Sequence, residues 1–227
     1  FLAKVQHPDG HLETLRARNV LLATGVLDIE PELPDLFDAV ARGLIRHCPI
    51  CDGFEAIDRK IGVLGWGGKC AGEAAFLRTY SPDVTLLSLG RPLDLTREER
   101  QTLQAQGVKL EDERVAEVII KEKRIAGLRF ASGREQVFDT LYSALGTRTR
   151  SDLAAQLGAD ADADGALLTD AHQRTSVPGL WAAGDVVSGL NQLAVAFGQA
   201  TIAATDIHRQ LLTESQRSEP AAAEECK

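Results

Sequence analysis

Two cysteines separated by two residues are the side chains of this sequence best suited to redox chemistry. Cys48 and Cys51 lie in the segment Cys-Pro-Ile-Cys-Asp-Gly, a spacing that lets two thiols close a disulfide within one turn of chain. Asp52 follows directly and could exchange a proton as the dithiol forms or opens. A structural zinc site needs about four ligands, usually from paired CxxC motifs, and the sequence holds no second pair. The spacing favours a redox pair and no metal, with a zinc site or an inert pair as alternatives.

A glycine-rich loop forms a second candidate site. The segment Gly-Trp-Gly-Gly-Lys-Cys at residues 65–70 lies between a predicted strand and a predicted helix. Gly65 and Gly67 would let the backbone approach a pyrophosphate at the start of that helix. Cys70 replaces the third glycine of the dinucleotide fingerprint, so the pattern also fits a Rossmann-like domain whose nucleotide site has decayed.

The strand after this loop predicts weak or absent use of NADPH. It ends in Ser88-Leu89-Gly90, which supplies neither a carboxylate for the ribose of NAD nor guanidinium groups for the phosphate of NADP. Arg91 is a single basic residue beyond the glycine.

A carboxylate near the C-terminus forms the third candidate. Asp185 ends the segment Trp-Ala-Ala-Gly-Asp, which predicts a buried strand. An acid at the end of such a strand can accept hydrogen bonds from a sugar alcohol. A long amphipathic helix over 193–212 follows. Taken alone, Ala-Gly-Asp is common and indicates a turn more than a site.

The elements around these residues alternate between strand and helix, which predicts an α/β fold with a parallel sheet. We expect a hairpin over residues 1–17 and a small antiparallel flap from strands at 115–121, 125–130 and 135–138. Thr96 and Glu99 predict a capping box at the start of a helix. The polar residues 213–227 predict a disordered tail, on which Cys226 would be a non-catalytic thiol.

Composition excludes several classes of protein. The chain has 227 residues, 44% of them apolar, and a net charge of −8. No apolar run approaches the roughly 20 residues that span a bilayer, and no basic stripe suggests nucleic acid as a partner. The absence of Met and the strand-like first residues, 1–5, indicate a fragment or a processed form of a longer protein.

The motifs in their order resemble the thioredoxin reductase family, of low-molecular-weight type, among the FAD-dependent pyridine nucleotide-disulfide oxidoreductases. The resemblance rests on Ala-Thr-Gly at 23–25, Cys-Pro-Ile-Cys-Asp-Gly-Phe-Glu at 48–55, the glycine loop, and Val-Pro-Gly-Leu-Trp-Ala-Ala-Gly-Asp at 177–185. It implies two doubly wound three-layer α/β domains. A CxxC-bearing, NAD(P)-binding-like domain over 46–146 would be inserted into an FAD-binding domain over 1–45 and 147–212. That FAD domain would be incomplete, because the family's first glycine motif is not in this sequence.

The resemblance also implies residue roles. Cys51 would face the flavin, Cys48 would exchange with the substrate, and Asp52 would be the acid–base. Gly65 and Gly67 would approach a nicotinamide dinucleotide, although the departures noted above make NADP(H) a doubtful cofactor. The residues expected at FAD are Thr24, Gly25, Asp185, Gln192 and Leu193.

The function so implied is passage of electrons through FAD to the Cys48–Cys51 disulfide and on to thioredoxin or another disulfide substrate. The donor could be ferredoxin or another non-nicotinamide carrier, and the resemblance implies a cytoplasmic homodimer. Two alternatives stay open: a relative that oxidises a small dithiol, and a non-catalytic redox-sensing or interaction module that has lost nucleotide binding.

Overall fold

A computed structural model describes residues 1–31, 36–121 and 124–218. The chain divides into two compact units, one of residues 1–27 with the segment that starts at Arg148, the other of residues 28–147. The strands are β1 (Leu2–Gln6), β2 (Leu12–Arg16), β3 (Val20–Leu22), β4 (Val26–Asp28), β5 (Ile45–Arg46), β6 (Ile61–Leu64), β7 (Val84–Leu87), β8 (Lys109–Glu111), β9 (Val115–Lys121), β10 (Arg124–Phe130), β11 (Glu135–Gln136), β12 (Thr140–Ser143), β13 (Thr147–Thr149) and β14 (Leu180–Ala182). The helices are α1 (Leu36–Ala41), α2 (Pro49–Asp52), α3 (Gly68–Leu77), α4 (Arg97–Ala105), α5 (Asp152–Ala155) and α6 (Leu193–Ser218), and a 3-10 turn spans Gly53–Ala56.

The unit of residues 28–147 is built on a parallel sheet of five strands in the order β5-β12-β6-β7-β8. All four residues of β6 are buried, because this strand lies in the middle of the sheet and side chains of both its faces enter a core. The connection β6-α3-β7 is a βαβ unit, as the sequence predicts.

The two faces of this sheet are covered by different layers. On one face Ile61 and Val63 pack with Leu77 of α3 and Leu103 of α4. On the other face Leu64 packs with side chains of the antiparallel sheet β11-β10-β9, which is the predicted flap. The predicted capping box is present: Thr96 accepts a hydrogen bond from the backbone N–H of Glu99, whose carboxylate accepts one from that of Thr96.

This unit begins at Asp28, earlier than the predicted domain boundary at residue 46. The reason is packing: Ala39 of α1 and Ile45 of β5 belong to the core of this unit, and β5 extends its sheet by pairing with β12. The division falls within β4, which pairs with β13.

The other unit contains an antiparallel hairpin and a parallel pair of strands. β1 and β2 pair from Leu2↔Arg16 to Gln6↔Leu12, and the turn between them places Gly10 at φ +86°, a backbone conformation that glycine adopts without strain. β3 and β14 run parallel, and Leu22 and Ala182 are partners at the ends of these strands. This pair packs in a core with residues such as Leu167 and Val186.

Helix α6 continues past the predicted helix end at 212. It runs to Ser218, so residues 213–218 of the predicted disordered tail are helical. Polar residues such as Glu, Gln and Arg are good helix formers, so their polarity does not end a helix. The Thr213 hydroxyl donates a hydrogen bond to the Arg209 carbonyl one turn earlier. The rest of that segment, including Cys226, lies outside the described residues. Within the described parts of the chain, no helix combines the length and the apolar character needed to cross a membrane.

Candidate functional site

Cys48 and Cys51 form a disulfide across the first turn of α2, with their Cα atoms 5.2 Å apart. The turn forms here because Pro49 occupies the first helical position. Its fixed φ suits a helix, and the N–H that proline lacks is not needed there. The Cys51 N–H donates to the Cys48 carbonyl at 2.9 Å. Cys48 is half-buried and Cys51 is exposed. The two predicted redox residues are thus bonded to each other at the protein surface.

The carboxylate of Asp52 is held by two donors. The Tyr142 hydroxyl donates to its Oδ1 at 2.7 Å, and Arg46 Nη1 lies 3.1 Å from its Oδ2. Arg46 also places Nη2 2.8 Å from Oε2 of Glu55. Burial raises the pKa of Tyr142 above its usual range, and the hydrogen bond to Asp52 raises it further. The predicted acid–base residue is therefore fixed in place, with Tyr142 as a neutral donor.

Sequence reasoning did not identify Arg46, Glu55 or Tyr142. Arg46 and Tyr142 are partners in the parallel register of β5 and β12, although Tyr142 lies 90 residues beyond Asp52 in the chain. Only the pairing of these two strands brings the donors together. The nearest signal in the sequence is the segment Leu-Tyr-Ser-Ala-Leu-Gly at 141–146, which is typical of a strand followed by a turn.

A second group of ionisable residues surrounds His47, the residue before Cys48. His47, which precedes Cys48, places Nε2 3.0 Å from Oε1 of Glu30. Glu73 lies on α3, and its Oε2 is buried without a hydrogen-bond partner among the described residues. Burial raises the pKa of Glu73 to about 7, against the opposing effects of Lys69 and His47.

The glycine loop packs tightly against α3. A Cβ on Gly65 would lie 2.4 Å from the Cβ of Cys70, so glycine is required for this close approach of strand and helix. The Cys70 thiol donates to the carbonyl of Gly67 at 2.7 Å. Burial raises the pKa of Cys70 to about 12, with a further contribution from Glu73. Cys70 is therefore an unreactive, structural thiol, while a Cβ on Gly67 would meet open space.

The start of α3 is occupied by an acidic side chain of the same chain. Oε1 of Glu99 lies 2.6 Å from the position of a Cβ on Gly68. Trp66 lies in the glycine loop, and the guanidinium of Arg91, which follows β7, stacks on its ring 4.2 Å from the centroid. Ser88 is fully buried, so its hydroxyl cannot reach a ligand at the surface.

In the other unit, three predicted residues meet at one edge of the parallel pair. Thr24 and Gly25 follow β3, and Asp185 follows β14, so all three lie beyond the carboxyl ends of neighbouring parallel strands, where ligands bind in doubly wound sheets. Gly25 and Gly184 have φ of +66° and +78°. The half-buried Asp185 carboxylate accepts no hydrogen bond from any residue that the structure describes.

Gln192 and Leu193 lie at the start of α6, where Leu193 is exposed. The helix is fixed to β14 by a buried carboxylate: Asp206 accepts a hydrogen bond from Trp181 Nε1 at 3.0 Å and two from Arg174 at 2.6 Å each. This anchor orients the 26 residues of α6 against the sheet of the unit.

The carboxyl end of the β3–β14 pair and the start of α3 differ in how well they suit the cofactors of the family. The unpartnered Asp185 carboxylate and the positive-φ glycines fit a polyhydroxy chain and a pyrophosphate such as those of FAD. The start of α3 does not fit the pyrophosphate of NADP(H), because the Glu99 carboxylate repels it and no free guanidinium group stands at Ser88–Gly90. No described residues group three or more histidine, cysteine or acidic side chains in a way that could hold a metal.

Comparison with known proteins places the chain in a family. Residues 2–200 match the family model of pyridine nucleotide-disulphide oxidoreductases. Thioredoxin reductase of Listeria monocytogenes is 27% identical over 92% of this chain and 68% of its own length. Thioredoxin reductase of Streptomyces coelicolor is 31% identical over 90% of this chain and 66% of its own. The chain thus spans about two thirds of the length of these relatives.

Solved structures agree with this placement. The crystal structure of HlmI is 32% identical and superposes with a TM-score of 0.82 over 95% of this chain and 66% of that one. Thioredoxin reductase from Streptococcus pyogenes is 25% identical, with a TM-score of 0.80 over 88% of this chain and 68% of that one. These findings confirm the predicted α/β fold class and the predicted resemblance to thioredoxin reductases. The chain belongs to the pyridine nucleotide-disulphide oxidoreductase family.

Proposed function

We propose that this chain is the CxxC-bearing part of a flavin-dependent disulfide oxidoreductase of thioredoxin-reductase type. The observation that carries the proposal is the Cys48–Cys51 disulfide with Asp52 fixed beside it, in a chain of this family. FAD, when bound, supplies the two-electron redox chemistry. We assign Thr24, Gly25, Asp185, Gln192 and Leu193 to holding it.

The cysteine pair then exchanges with a disulfide substrate. The reduced pair presents a thiolate at Cys48, which attacks one sulfur of the substrate and expels the other as a thiolate. Cys51 resolves the mixed disulfide, re-forms the Cys48–Cys51 bond and releases the second substrate sulfur. Asp52 takes the proton of the Cys51 thiol and returns it to a leaving thiolate. The substrate gains two electrons, and the cysteine pair loses two.

The surface around the disulfide suits an apolar or protein substrate. Ile50 and Phe54, on either side of Cys51 in the chain, are 64% and 75% exposed. Exposed side chains of this size next to a reactive group are typical of a recognition surface. We therefore propose a thioredoxin-like protein or a small apolar disulfide as the substrate.

We further propose an electron donor other than NADPH, such as ferredoxin. The support is the lack of fit at the start of α3: the Glu99 carboxylate at Gly68, the Trp66–Arg91 stack and the buried Ser88. Fast, saturable reduction of the flavin by micromolar NADPH in stopped-flow would contradict this part of the proposal.

A cytoplasmic homodimer is the proposed setting. The support is the small number of cysteines, four in all, and the exposed Phe197 and Ile202 on α6, apolar side chains that a second copy could cover. Light scattering of the purified protein after size exclusion would give the mass and decide between monomer and dimer.

The central test is whether the purified protein contains bound flavin. Purified protein should show the visible absorbance of an oxidised flavin, and Asp185→Asn should lower the flavin content at least several-fold, because it removes the charge that accepts hydrogen bonds from the cofactor. Asp152→Asn, an exposed acid in the same unit, is the matched control. Colourless protein that binds no added FAD would instead favour a non-catalytic redox module.

A further inference from the structure

Two side chains from neighbouring strands converge on Asp52. Arg46 ends β5, Tyr142 lies in β12, and the two are register partners. Each gives a donor to a different oxygen of the carboxylate, Tyr142 to Oδ1 at 2.7 Å and Arg46 to Oδ2 at 3.1 Å. Both donors stand on the rigid sheet, so the carboxylate cannot rotate without losing one of them.

The two donors differ in their surroundings. Tyr142 is fully buried. Because a buried hydroxyl without a partner is costly, the Tyr142 hydroxyl keeps its hydrogen bond to Asp52. Arg46 is 22% exposed and shares its charge with Glu55, which is 65% exposed. The groups that face the Asp52 carboxylate among the described residues are thus one neutral hydroxyl and one guanidinium, with Glu55 behind the latter.

We propose that Tyr142 and Arg46 are positioning residues that hold the Asp52 carboxylate in one orientation for its role as the proton acceptor of the cysteine pair. This inference rests on the proposed function, in which Asp52 exchanges protons with the dithiol. Loss of either donor frees the carboxylate to rotate and so slows its proton exchange with the cysteine pair.

The step affected is the resolution of the mixed disulfide. The S–H bond of Cys51 breaks and its proton moves to Asp52, while the Cys51 sulfur forms the bond to Cys48. The bond between Cys48 and the substrate sulfur breaks, and that sulfur leaves with the electron pair. It then takes the proton from Asp52, so the carboxylate is regenerated.

The experiment measures this step without the flavin. Full-length chain carrying Cys226→Ser is reduced with a dithiol, freed of reductant under anaerobic conditions and mixed with oxidised glutathione. The single-turnover rate at which the Cys48–Cys51 disulfide re-forms is followed by acid quench and mass spectrometry, at one fixed pH near neutrality and with oxidised glutathione in excess.

Tyr142→Phe keeps the buried ring and removes only the hydroxyl. We expect its disulfide to re-form about tenfold more slowly, the equivalent of one hydrogen bond to a charged group. Arg46→Gln should slow the step in the same way, Arg46→Lys should restore part of the rate, and Asp52→Asn should slow the step at least as much as either. Tyr80→Phe is the matched control, because the Tyr80 hydroxyl bonds to no described residue.

The variants distinguish a failure of the positioning roles from a failure of the proposed function. A Tyr142→Phe rate equal to that of the control, while Asp52→Asn slows the step, would overturn the positioning roles and leave the proposed function standing. An unchanged rate in Asp52→Asn would overturn the proton transfer of the proposed function. Should Tyr142→Phe fail to fold, the Arg46 pair of variants carries the same test.

Discussion

The carboxylate of Glu99 stands at the start of α3, with Oε1 2.6 Å from the position of a Cβ on Gly68. The same carboxylate completes the capping box of α4 through Oε2, 2.7 Å from the backbone nitrogen of Thr96. One side chain therefore stabilises its own helix and brings a negative charge to the N-terminus of another. In a nicotinamide-binding relative, that N-terminus would receive a pyrophosphate.

Replacing Glu99 by Gln should improve the binding of NADPH and of ADP-ribose. Gln also serves in a capping box, so the fold is retained while the charge is removed, and we expect binding about fivefold tighter, equivalent to roughly 1 kcal/mol at a helix N-terminus. Trp66 lies in the loop and provides a fluorescence readout for the titration.

Glu98→Gln is the matched control, because it removes the same charge one residue away at the surface of α4. Equal gains in the two variants would mean that net charge, and not the position of Glu99, governs the affinity. No gain in Glu99→Gln would show that Trp66 and the missing guanidinium groups already suffice to exclude the nucleotide.

Cys48→Ser and Cys51→Ser should each abolish steady-state reduction of a disulfide substrate, because neither single thiol can form the intramolecular disulfide that completes the cycle. The two variants should differ in single turnover. Cys48→Ser should form no mixed disulfide through position 48, whereas Cys51→Ser should trap one that mass spectrometry detects. Cys226→Ser is the control and should keep full activity. Turnover in both serine variants would exclude this pair as the redox centre.

Much of the fold follows from local sequence. The capping box at Thr96, the close glycine at Gly65 and the flap strands are each encoded by a few adjacent residues. The two-residue strand β5 and the four-residue helix α2 were not predicted, because β5 is a strand only through pairing with β12, and segments so short have no periodicity.

The site was predictable to a similar extent. Cys48, Cys51 and Asp52 are contiguous, and their chemistry shows in their spacing. The donors Arg46 and Tyr142 depend on a register between distant strands, and the position of Glu99 at Gly68 depends on how α4 packs against α3. Neither relationship leaves a pattern in the sequence, because both are set by tertiary packing.

Asp206→Asn should destabilise the unit that contains α6. The substitution removes the charge that accepts bonds from Arg174 and Trp181, and we expect a loss of about 2–3 kcal/mol in the free energy of unfolding. Asp152→Asn, whose carboxylate is largely exposed and lies 3.8 Å from Arg148, should change stability by less than about 0.5 kcal/mol. Urea unfolding of both variants measures the difference.

The pH dependence of the free energy of unfolding should also reflect the Asp206 carboxyl group. Hydrogen bonds from Arg174, then from Trp181, lower the pKa of Asp206 below its ordinary value of 3.8. A lowered pKa means that the stabilisation is fully present above the ordinary value and is lost as the pH falls through the folded-state value. The destabilisation by Asp206→Asn should therefore be constant near neutral pH and shrink in acid. A difference between the two proteins that does not change down to acid unfolding would show that the Asp206 charge contributes nothing.

Truncation after Leu212 should leave dithiol–disulfide exchange at Cys48–Cys51 unchanged. The anchor of α6 to β14 uses Asp206, which precedes the cut, so the packed part of the helix stays in place. The cut removes the last turns of α6 through Ser218, together with Cys226. Single-turnover oxidation and steady-state turnover of the truncated and complete chains should agree within about twofold, since the cut leaves the whole unit of residues 28–147, which carries the cysteine pair, unchanged. If steady-state turnover fell sharply while single-turnover oxidation of Cys48–Cys51 stayed the same, the segment after Leu212 would have a role in electron delivery, and the Cys226→Ser variant would show whether its thiol is responsible.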